Sequence, residues 1–436
     1  MTIPPAVIAA GAVLFLWPAL ANFYPLLFSD TGAFLAQALE PFMIWDKPWI
    51  YGPALVLFSA RLTLWLPALA QAGMLSWLLW QLQAVFFPVH PWRHVALCGA
   101  LALGSAAPWF ASSLMPDILA PVTVLCLFLL GFAPAPLRGW KVIALATFAI
   151  AAHLAHLIIA AACIALFLVL RPRAARRAAP PLAAALALLM ITNLIGHGRL
   201  GISPYGAVFA LARLAADGPS RDYLRENCPA AGYHLCAWAD RLPTDSDAFL
   251  WDPDGPAWSI EGGAPALAPE ASRIVIATIA TRPLAVARAA LANTALQLTQ
   301  VKLGDTLGNY WLDETVGLRL RSYFPASEES RFHAARQFRD QLTEIATPLN
   351  APHAALLMLG ALATILIAIR CRWHTPRLAA LAAAVLVGVL GNAFATGALS
   401  GPHDRYQARI AWLLLLAPAL YIMWRISSDG ARTSAS

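Results

Sequence analysis

Long apolar runs recur at both ends of the chain and are missing from its middle. A helix needs about 20 predominantly apolar residues to cross the hydrocarbon core of a bilayer, and runs approaching this length occur before residue 197 and after residue 352. We therefore predict an all-α polytopic membrane protein with about ten transmembrane helices. The predicted spans are 4–22, 63–86, 94–111, 118–133, 142–153, 156–170, 179–196, 353–370, 378–397 and 409–424.

The same pattern divides the chain into three parts. Residues 1–196 form an N-terminal transmembrane module with a first outer loop at 23–62, and residues 351–436 form a C-terminal transmembrane module. Residues 197–350 have the composition of a soluble protein and hold 17 of the 23 acidic residues. We predict that this segment is a periplasmic or lumenal domain of mixed or mainly helical structure.

Short clusters of basic residues set the predicted orientation. Arg138 and Lys141 precede the apolar run 142–170, and arginines between 171 and 177 follow it. Because basic loops favour the cytoplasmic side, this run must cross twice, as two short helices that meet near His153–His156. The resulting orientation places both termini in the cytoplasm, and we expect a bacterial inner membrane.

Composition narrows the class of protein further. Hydrophobic residues make up 60% of the chain and charged residues 12%, which is about half the charge of a soluble protein. The net charge of +7 comes from short loop clusters, so we expect contact with membrane lipids and no nucleic-acid partner. Cys228 and Cys236 lie close together in the segment 197–350, which we call the outer segment. We predict a disulfide there, and two buried thiols are the alternative.

The first outer loop carries the strongest candidate for chemistry. Asp30 directly follows the first predicted span, and an ionisable residue at a membrane end is costly unless it has a role. We predict that Asp30 is catalytic or binds a ligand. The alternative is that its side chain caps a short helix that begins at Thr31.

Further polar residues follow in the same loop. Asp46, Lys47 and Tyr51 lie in a stretch that Pro48 and Gly52 stiffen and turn. Lys47 is a candidate ligand for a phosphate group, and Asp46 and Tyr51 are candidate substrate ligands. The aromatic residues here alternatively form an interfacial belt.

Arg61 ends this loop and is another candidate for binding phosphate. The alternative is that its long side chain extends to the membrane surface.

Two more predicted outer turns carry polar side chains. Asp117 lies between the third and fourth spans, where its carboxylate could bind a substrate or a metal, or cap the next helix. His153 and His156 are spaced so that both rings lie on one helical face. They could contact a metal or a phosphate, or make only local hydrogen bonds.

A basic stretch with His403, Arg405 and Arg409 precedes the last span. Two arginines on the outer side depart from the usual distribution of charge, which indicates an anionic partner. We predict that Arg405 and Arg409 bind phosphate and that His403 contacts substrate.

This layout resembles the GT-C fold of integral membrane glycosyltransferases, in particular bacterial enzymes that use polyprenyl-phosphate sugars. The resemblance is most specific at 28–52 and at Met115-Pro116-Asp117, and it extends to the segment around Arg405. Members of this fold have an acidic residue in the first outer loop, directly after the first span, and Asp30 occupies that position. Many members have a second acid beside it. Here the neighbour is Thr31, which leaves a requirement for a divalent metal open.

The resemblance implies transfer of a sugar, with inversion, from a lipid-linked sugar donor to a glycan, lipid or protein acceptor on the outer face. Asp30 would be the general base, and Lys47, Arg405, Arg61 and Arg409 would bind the donor phosphate. Two other functions stay open. A transporter or flippase of a lipid-linked saccharide would use the same cations without a base, and a non-catalytic envelope assembly protein would tolerate substitution of Asp30.

Overall fold

Helices account for the regular structure of this protein. The computed structural model describes residues 4–433, so residues 1–3 and 434–436, on which the predicted cytoplasmic termini fall, lie outside it. Within 4–433 the β pairing consists of one isolated bridge between Leu26 and Ser113. The predicted all-α class is therefore confirmed.

The helices fall into an N-terminal, a middle and a C-terminal set. The N-terminal set is α1 (Pro5–Phe15), α2 (Trp17–Asn22), α3 (Ser29–Leu39), α4 (Tyr51–Ser59), α5 (Trp65–Gln83), α6 (Pro91–Gly104), α7 (Ala107–Ser112), α8 (Leu119–Phe132), α9 (Trp140–Ala151), α10 (Leu154–Leu170) and α11 (Pro172–His197). The middle set is α12 (Gly206–Asp217), α13 (Pro219–Asn227), α14 (Ser246–Trp251), α15 (Gly263–Thr281), α16 (Pro283–Thr299), α17 (Leu318–Tyr323), α18 (Ala326–Ala334) and α19 (Thr343–Ala346). The C-terminal set is α20 (Asn350–Arg370), α21 (Pro376–Ala393), α22 (Asp404–Ala411) and α23 (Leu413–Thr433). Two π-helical turns, Asp313–Gly317 and Phe394–Ala398, interrupt these sets.

Fewer helices can cross a bilayer than the sequence pattern predicts. Within 4–433, four segments are long and apolar enough to do so: Pro172–His197, Thr343–Arg370, Pro376–Ala398 and Asp404–Ser427. A fifth arises if α15 and α16, which meet at an angle of 103°, count as one broken span. The chain is thus a helical membrane protein, but the predicted number of about ten spans is not supported.

Prolines and turns divide several of the predicted spans. The predicted span 4–22 breaks at Leu16, because Pro18 has no N–H for a continuous helix, and α1 is left with 11 residues. The predicted span 94–111 is divided between α6 and α7, with 14 and 6 residues. As predicted, α9 and α10 meet at His153, but with 12 and 17 residues both are short for a span.

Opposite ends of the helical bundle carry different residues. The chain runs along α8 from Asp117 towards Arg138, returns along α9 to His153, and runs back along α10 to Arg171. Arg138 interacts electrostatically with Arg171 and Arg177, so these basic residues share one end. Asp117 and His153 consequently lie at the other end.

Buried apolar side chains form two clusters. The larger one combines the apolar helices with residues between 303 and 346. The smaller one is built from residues between Tyr205 and Ile274. The first half of the outer segment therefore has a core of its own, in a region that also contains the predicted disulfide between Cys228 and Cys236. The second half packs on the apolar bundle.

Polar contacts attach this second half to the first outer loop and to the two residues that follow it. The Gln337 side chain accepts a hydrogen bond from the Leu27 N–H at 3.0 Å and donates one to the Leu27 carbonyl at 2.6 Å. The buried Glu328 carboxylate accepts hydrogen bonds from the Tyr24 hydroxyl, the Thr63 hydroxyl and the Leu64 N–H, at 2.6, 2.9 and 2.7 Å. These bonds fix the chain on both sides of α3.

Candidate functional site

The start of α3 leaves the Asp30 carboxylate available to a ligand. The Phe28 N–H donates to the Thr31 hydroxyl at 3.0 Å, and this hydroxyl donates to the Leu114 carbonyl at 3.1 Å. Thr31 therefore closes the start of the helix, and Asp30 is not its cap. Asp30 lies in the first turn, where the partial positive charge of the helix N-terminus favours a carboxylate.

Lys47 lies between two carboxylates. Its Nζ is 3.2 Å from Asp30 Oδ1 and also donates to Asp46. Burial alone would lower the pKa of Lys47, but the two carboxylates outweigh it and raise this pKa above its ordinary value. Lys47 is consequently a permanent cation that holds Asp30 and Asp46 together, and the Trp251 ring covers it at 5.7 Å.

Asp117 forms the second half of the site with two arginines. Its Oδ1 is 3.3 Å from Arg409 Nη1 and 3.8 Å from Arg405 Nε. Arg409 is fully buried, and its Nε and Nη2 donate to Asn392 Oδ1 at 3.3 and 3.0 Å. Asp117 therefore does not cap a helix; it balances a buried guanidinium, which would otherwise be very costly.

Arg405 joins the two halves. Its guanidinium lies 4.7 Å from the centre of the Phe28 ring and 4.8 Å from that of Tyr406, and its charge interacts with those of Asp117 and Asp30. Its backbone N–H donates to Asp305 at 2.8 Å. Arg405 Nη1 is buried and has no hydrogen-bond partner among the described residues, so this cation keeps an unused donor.

We call these six residues the charge cluster. It consists of Asp30, Asp46, Lys47, Asp117, Arg405 and Arg409. Three carboxylates and three cations make it formally neutral. Comparison with protein-family models, characterised proteins and solved structures finds no match. The resemblance to the GT-C fold therefore stays an expectation.

The two predicted histidines border the charge cluster. The charges of Arg409, Arg405 and Lys47 all act on the His153 ring, and the His156 ring centre is 5.2 Å from it. His156 Nδ1 donates to the Ala149 carbonyl at 2.6 Å. A local hydrogen bond therefore accounts for one nitrogen of the His156 ring. The other nitrogen, Nε2, is buried without a partner among residues 4–433.

Tyr51 supports the charge cluster from α4. Its hydroxyl donates to Gln71 at 2.6 Å, and Gln71 donates in turn to the Ser113 carbonyl at 2.8 Å. Tyr51 interacts electrostatically with Asp117, so its side chain lies on the Asp117 side of the charge cluster.

Two predicted ligands lie outside the charge cluster. Arg61 is exposed, has a left-handed φ of 53°, and its side chain makes no hydrogen bond or ion pair among residues 4–433. His403 forms an ion pair with Asp247 at 3.3 Å, so it connects the outer segment to the start of α22. Arg61 has no contact with the charge cluster among residues 4–433, and His403 interacts with it through the charge of Arg405.

Three contributors were not predicted. Asn392 holds Arg409, Asp305 accepts from the Arg405 backbone, and Trp251 covers Lys47. An amide inside an apolar run is a recognisable signal, so Asn392 could have been found. Asp305 and Trp251 lie in the outer segment, where acidic and aromatic residues are common.

The described residues contain no cluster of three His, Cys, Asp or Glu side chains suited to a metal ion. The Lys47 ammonium group occupies the position between the Asp30 and Asp46 carboxylates. The requirement for a divalent metal stays untested.

Proposed function

We propose that this chain is a membrane glycosyltransferase that moves a sugar from a polyprenyl-phosphate donor to an acceptor hydroxyl, with Asp30 as general base. The observation that carries the proposal is the environment of Asp30. Its carboxylate is partly exposed, uses one oxygen for Lys47 and has its other oxygen free of hydrogen bonds among residues 4–433. It also lies beside Arg405, whose Nη1 makes no hydrogen bond among residues 4–433. Both residues lie at one end of an apolar bundle suited to a lipid-linked sugar.

The proposed step conserves charge within the charge cluster. The acceptor hydroxyl transfers its proton to Asp30 as its oxygen attacks the anomeric carbon, and the bond from that carbon to the phosphate oxygen breaks. The departing polyprenyl phosphate takes the electron pair and gains one negative charge while Asp30 loses one. Fixed cations at the point where charge develops are a main source of catalysis.

The cations divide between two roles. Lys47 is already paired with two carboxylates, and Arg409 with Asp117 and Asn392. Arg405 has an unused donor and stacks on Phe28, two residues before Asp30. We therefore assign the phosphate chiefly to Arg405 and assign to Lys47 the positioning of Asp30.

The test is an assay with purified protein in lipid nanodiscs and radiolabelled polyprenyl-phosphate sugars, in which release of polyprenyl phosphate is measured. We expect Asp30→Asn to reduce the rate by about 100-fold or more, the usual contribution of a general base. The matched control is Asp240→Asn, because that side chain is 96% exposed. An undiminished rate in Asp30→Asn contradicts the proposal, and donor binding without transfer by the unaltered chain favours the transporter.

A further inference from the structure

A second concave site lies on the outer segment, apart from the charge cluster. It is a cleft of about 390 Å³ lined by Asn309, Tyr310, Trp311, Asp313, Glu314 and Phe338. This volume is within the range of small-molecule sites, roughly 300–1,000 Å³. None of these residues has a part in the proposed transfer step.

Two aromatic rings project from a tight turn at the edge of this cleft. The Leu312 N–H donates to the Asn309 carbonyl at 3.1 Å, which closes the turn around Tyr310 and Trp311. Trp311 has a left-handed φ of 59°, an unusual conformation for a bulky residue. Tyr310 and Trp311 are 78% and 54% exposed, and their ring centres are 5.5 Å apart at 78°. The turn therefore holds both rings out of the core.

The polar side chains of the cleft mainly offer hydrogen-bond acceptors. Asp313 Oδ1 accepts from Arg321 at 2.9 Å and from His333 at 3.0 Å, which leaves Oδ2 open. Glu314 is exposed and makes no hydrogen bond or ion pair among residues 4–433. Asn309 donates its amide N–H to the Phe338 carbonyl at 3.2 Å, so its oxygen is open.

The Asp313 carboxylate is held ionised in this arrangement. The hydrogen bond from His333 lowers the pKa of Asp313 below its ordinary value, against the effect of burial, and Arg321 adds to this lowering. An ionised carboxylate accepts strong hydrogen bonds from hydroxyl groups.

Aromatic faces beside several open acceptors match one ligand class well. A pyranose ring presents an apolar face of C–H groups and an edge of hydroxyl donors, so it can stack on a ring while its hydroxyls bond to carboxylate and amide oxygens. The carboxylates of Asp313 and Glu314 disfavour acidic sugars. We propose that this cleft binds a neutral or amino-sugar glycan.

The cleft is connected to the start of α3. The π-helical turn Asp313–Gly317 packs so closely on α3 that a Cβ at Gly32 would lie 2.5 Å from the Thr315 backbone. Glu40 near the end of α3 also pairs with Arg319 at 2.9 Å. The cleft therefore adjoins the helix that carries Asp30, and we assign its glycan the role of acceptor, which rests on the proposed transferase function; binding itself does not depend on it.

The test measures glycan binding by the full-length chain in nanodiscs. The probes are maltotetraose, cellotetraose and chitotetraose, followed by isothermal titration calorimetry without any donor. We expect at least one to bind, and Trp311→Ala and Tyr310→Ala each to weaken binding tenfold or more. Trp373→Ala is the matched control, because this tryptophan is 76% exposed at the turn between α20 and α21.

Any of four results would overturn the inference. The first is that no tetrasaccharide binds, and the second is that both cleft variants bind as the unaltered chain does. The third is that tetramethylammonium binds in place of glycans, which would make the rings a cation cage. The fourth is that brominated lipids quench the part of the fluorescence that Trp311→Ala removes, which would make the rings a membrane anchor. Because no sugar is transferred in this experiment, its failure is distinct from a failure of the Asp30→Asn test.

Discussion

At the scale of single residues, Arg409 is the least exposed cation of the charge cluster. Its side chain has no exposure and contacts Asp117 and Asn392. Removing one partner of a buried ion pair costs about 3–5 kcal/mol when the other is left without a counter-charge, and here Asp117 would keep Arg405 at 3.8 Å. We therefore expect Arg409→Leu to lower the free energy of unfolding by about 3 kcal/mol, the lower end of that range, measured by equilibrium unfolding in mixed micelles.

A double variant separates this pairing from simple loss of packing. Arg409→Leu combined with Asp117→Leu removes this ion pair as a whole, while Arg405 loses Asp117 but still interacts with Asp30 and Asp305, so we expect part of the lost stability to return. If the double variant loses the sum of the two single losses, the two side chains are not coupled and the ion pair is not the cause.

The ion pair between His403 and Asp247 predicts a dependence of stability on pH. The hydrogen bond that His403 donates to Asp247 raises the pKa of His403 against the effect of burial, with Arg405 opposing and Asp305 assisting, and the same bond lowers the pKa of Asp247. A raised histidine pKa gives stability that is complete below the unfolded value, about 6.5, and is lost as pH rises through the folded value. A lowered aspartate pKa gives stability that is lost as pH falls through the folded value.

The pair therefore stabilises the fold most between about pH 4 and 6.5. Both side chains are partly exposed, at 40% and 47%, so the effect should not exceed about 1 kcal/mol. We expect His403→Gln to lower the unfolding temperature at pH 6 and to have little effect once pH exceeds the raised pKa. A difference that is the same at every pH would show that the pair makes no ionic contribution.

At the scale of secondary-structure elements, the side chain of Glu328 attaches α18 to the N-terminal part of the chain. Glu328 accepts one hydrogen bond from Tyr24 in the first outer loop and two from Thr63 and Leu64 directly after it, and truncating it leaves buried donors without a partner, each worth about 1–3 kcal/mol. We expect Glu328→Ala to lower the free energy of unfolding by about 2–4 kcal/mol.

The adjacent residue provides the control for this prediction. Glu329 makes only an exposed ion pair with Arg321 at 3.1 Å, so Glu329→Ala should cost less than about 1 kcal/mol. Equal losses in the two variants would show that Glu328 does not attach α18 to the loop.

Several elements follow from the sequence, and others depend on tertiary packing. Basic flanks alone predict the turn between α9 and α10 at His153. The break at Leu16 depends on Pro18, which a count of apolar residues ignores. The number of spans was overestimated for this reason, since an apolar run fixes burial but does not fix whether one helix continues through it.

At the scale of the whole molecule, the charge cluster joins residues that are remote in sequence. One loop supplies Asp30, Asp46 and Lys47, so the sequence alone places these three side chains close together. Asp117 meets Arg409 across 292 positions, and only the alternation of helix direction indicates that they share an end. The contribution of Asp305 has no signal in sequence, because it is one of 17 acidic residues in its segment.

The most direct test of the account asks on which side of the membrane the charge cluster lies. Single cysteines are introduced as Asp30→Cys, His403→Cys and Trp373→Cys in a Cys371→Ser background, and intact bacteria are treated with a membrane-impermeant maleimide. The native positions are 29%, 40% and 76% exposed. We predict that the cysteines at 30 and 403 react in intact cells and that the one at 373 reacts only after permeabilisation. Reaction of positions 30 and 403 from opposite sides, or of both only from the inside, would contradict the account.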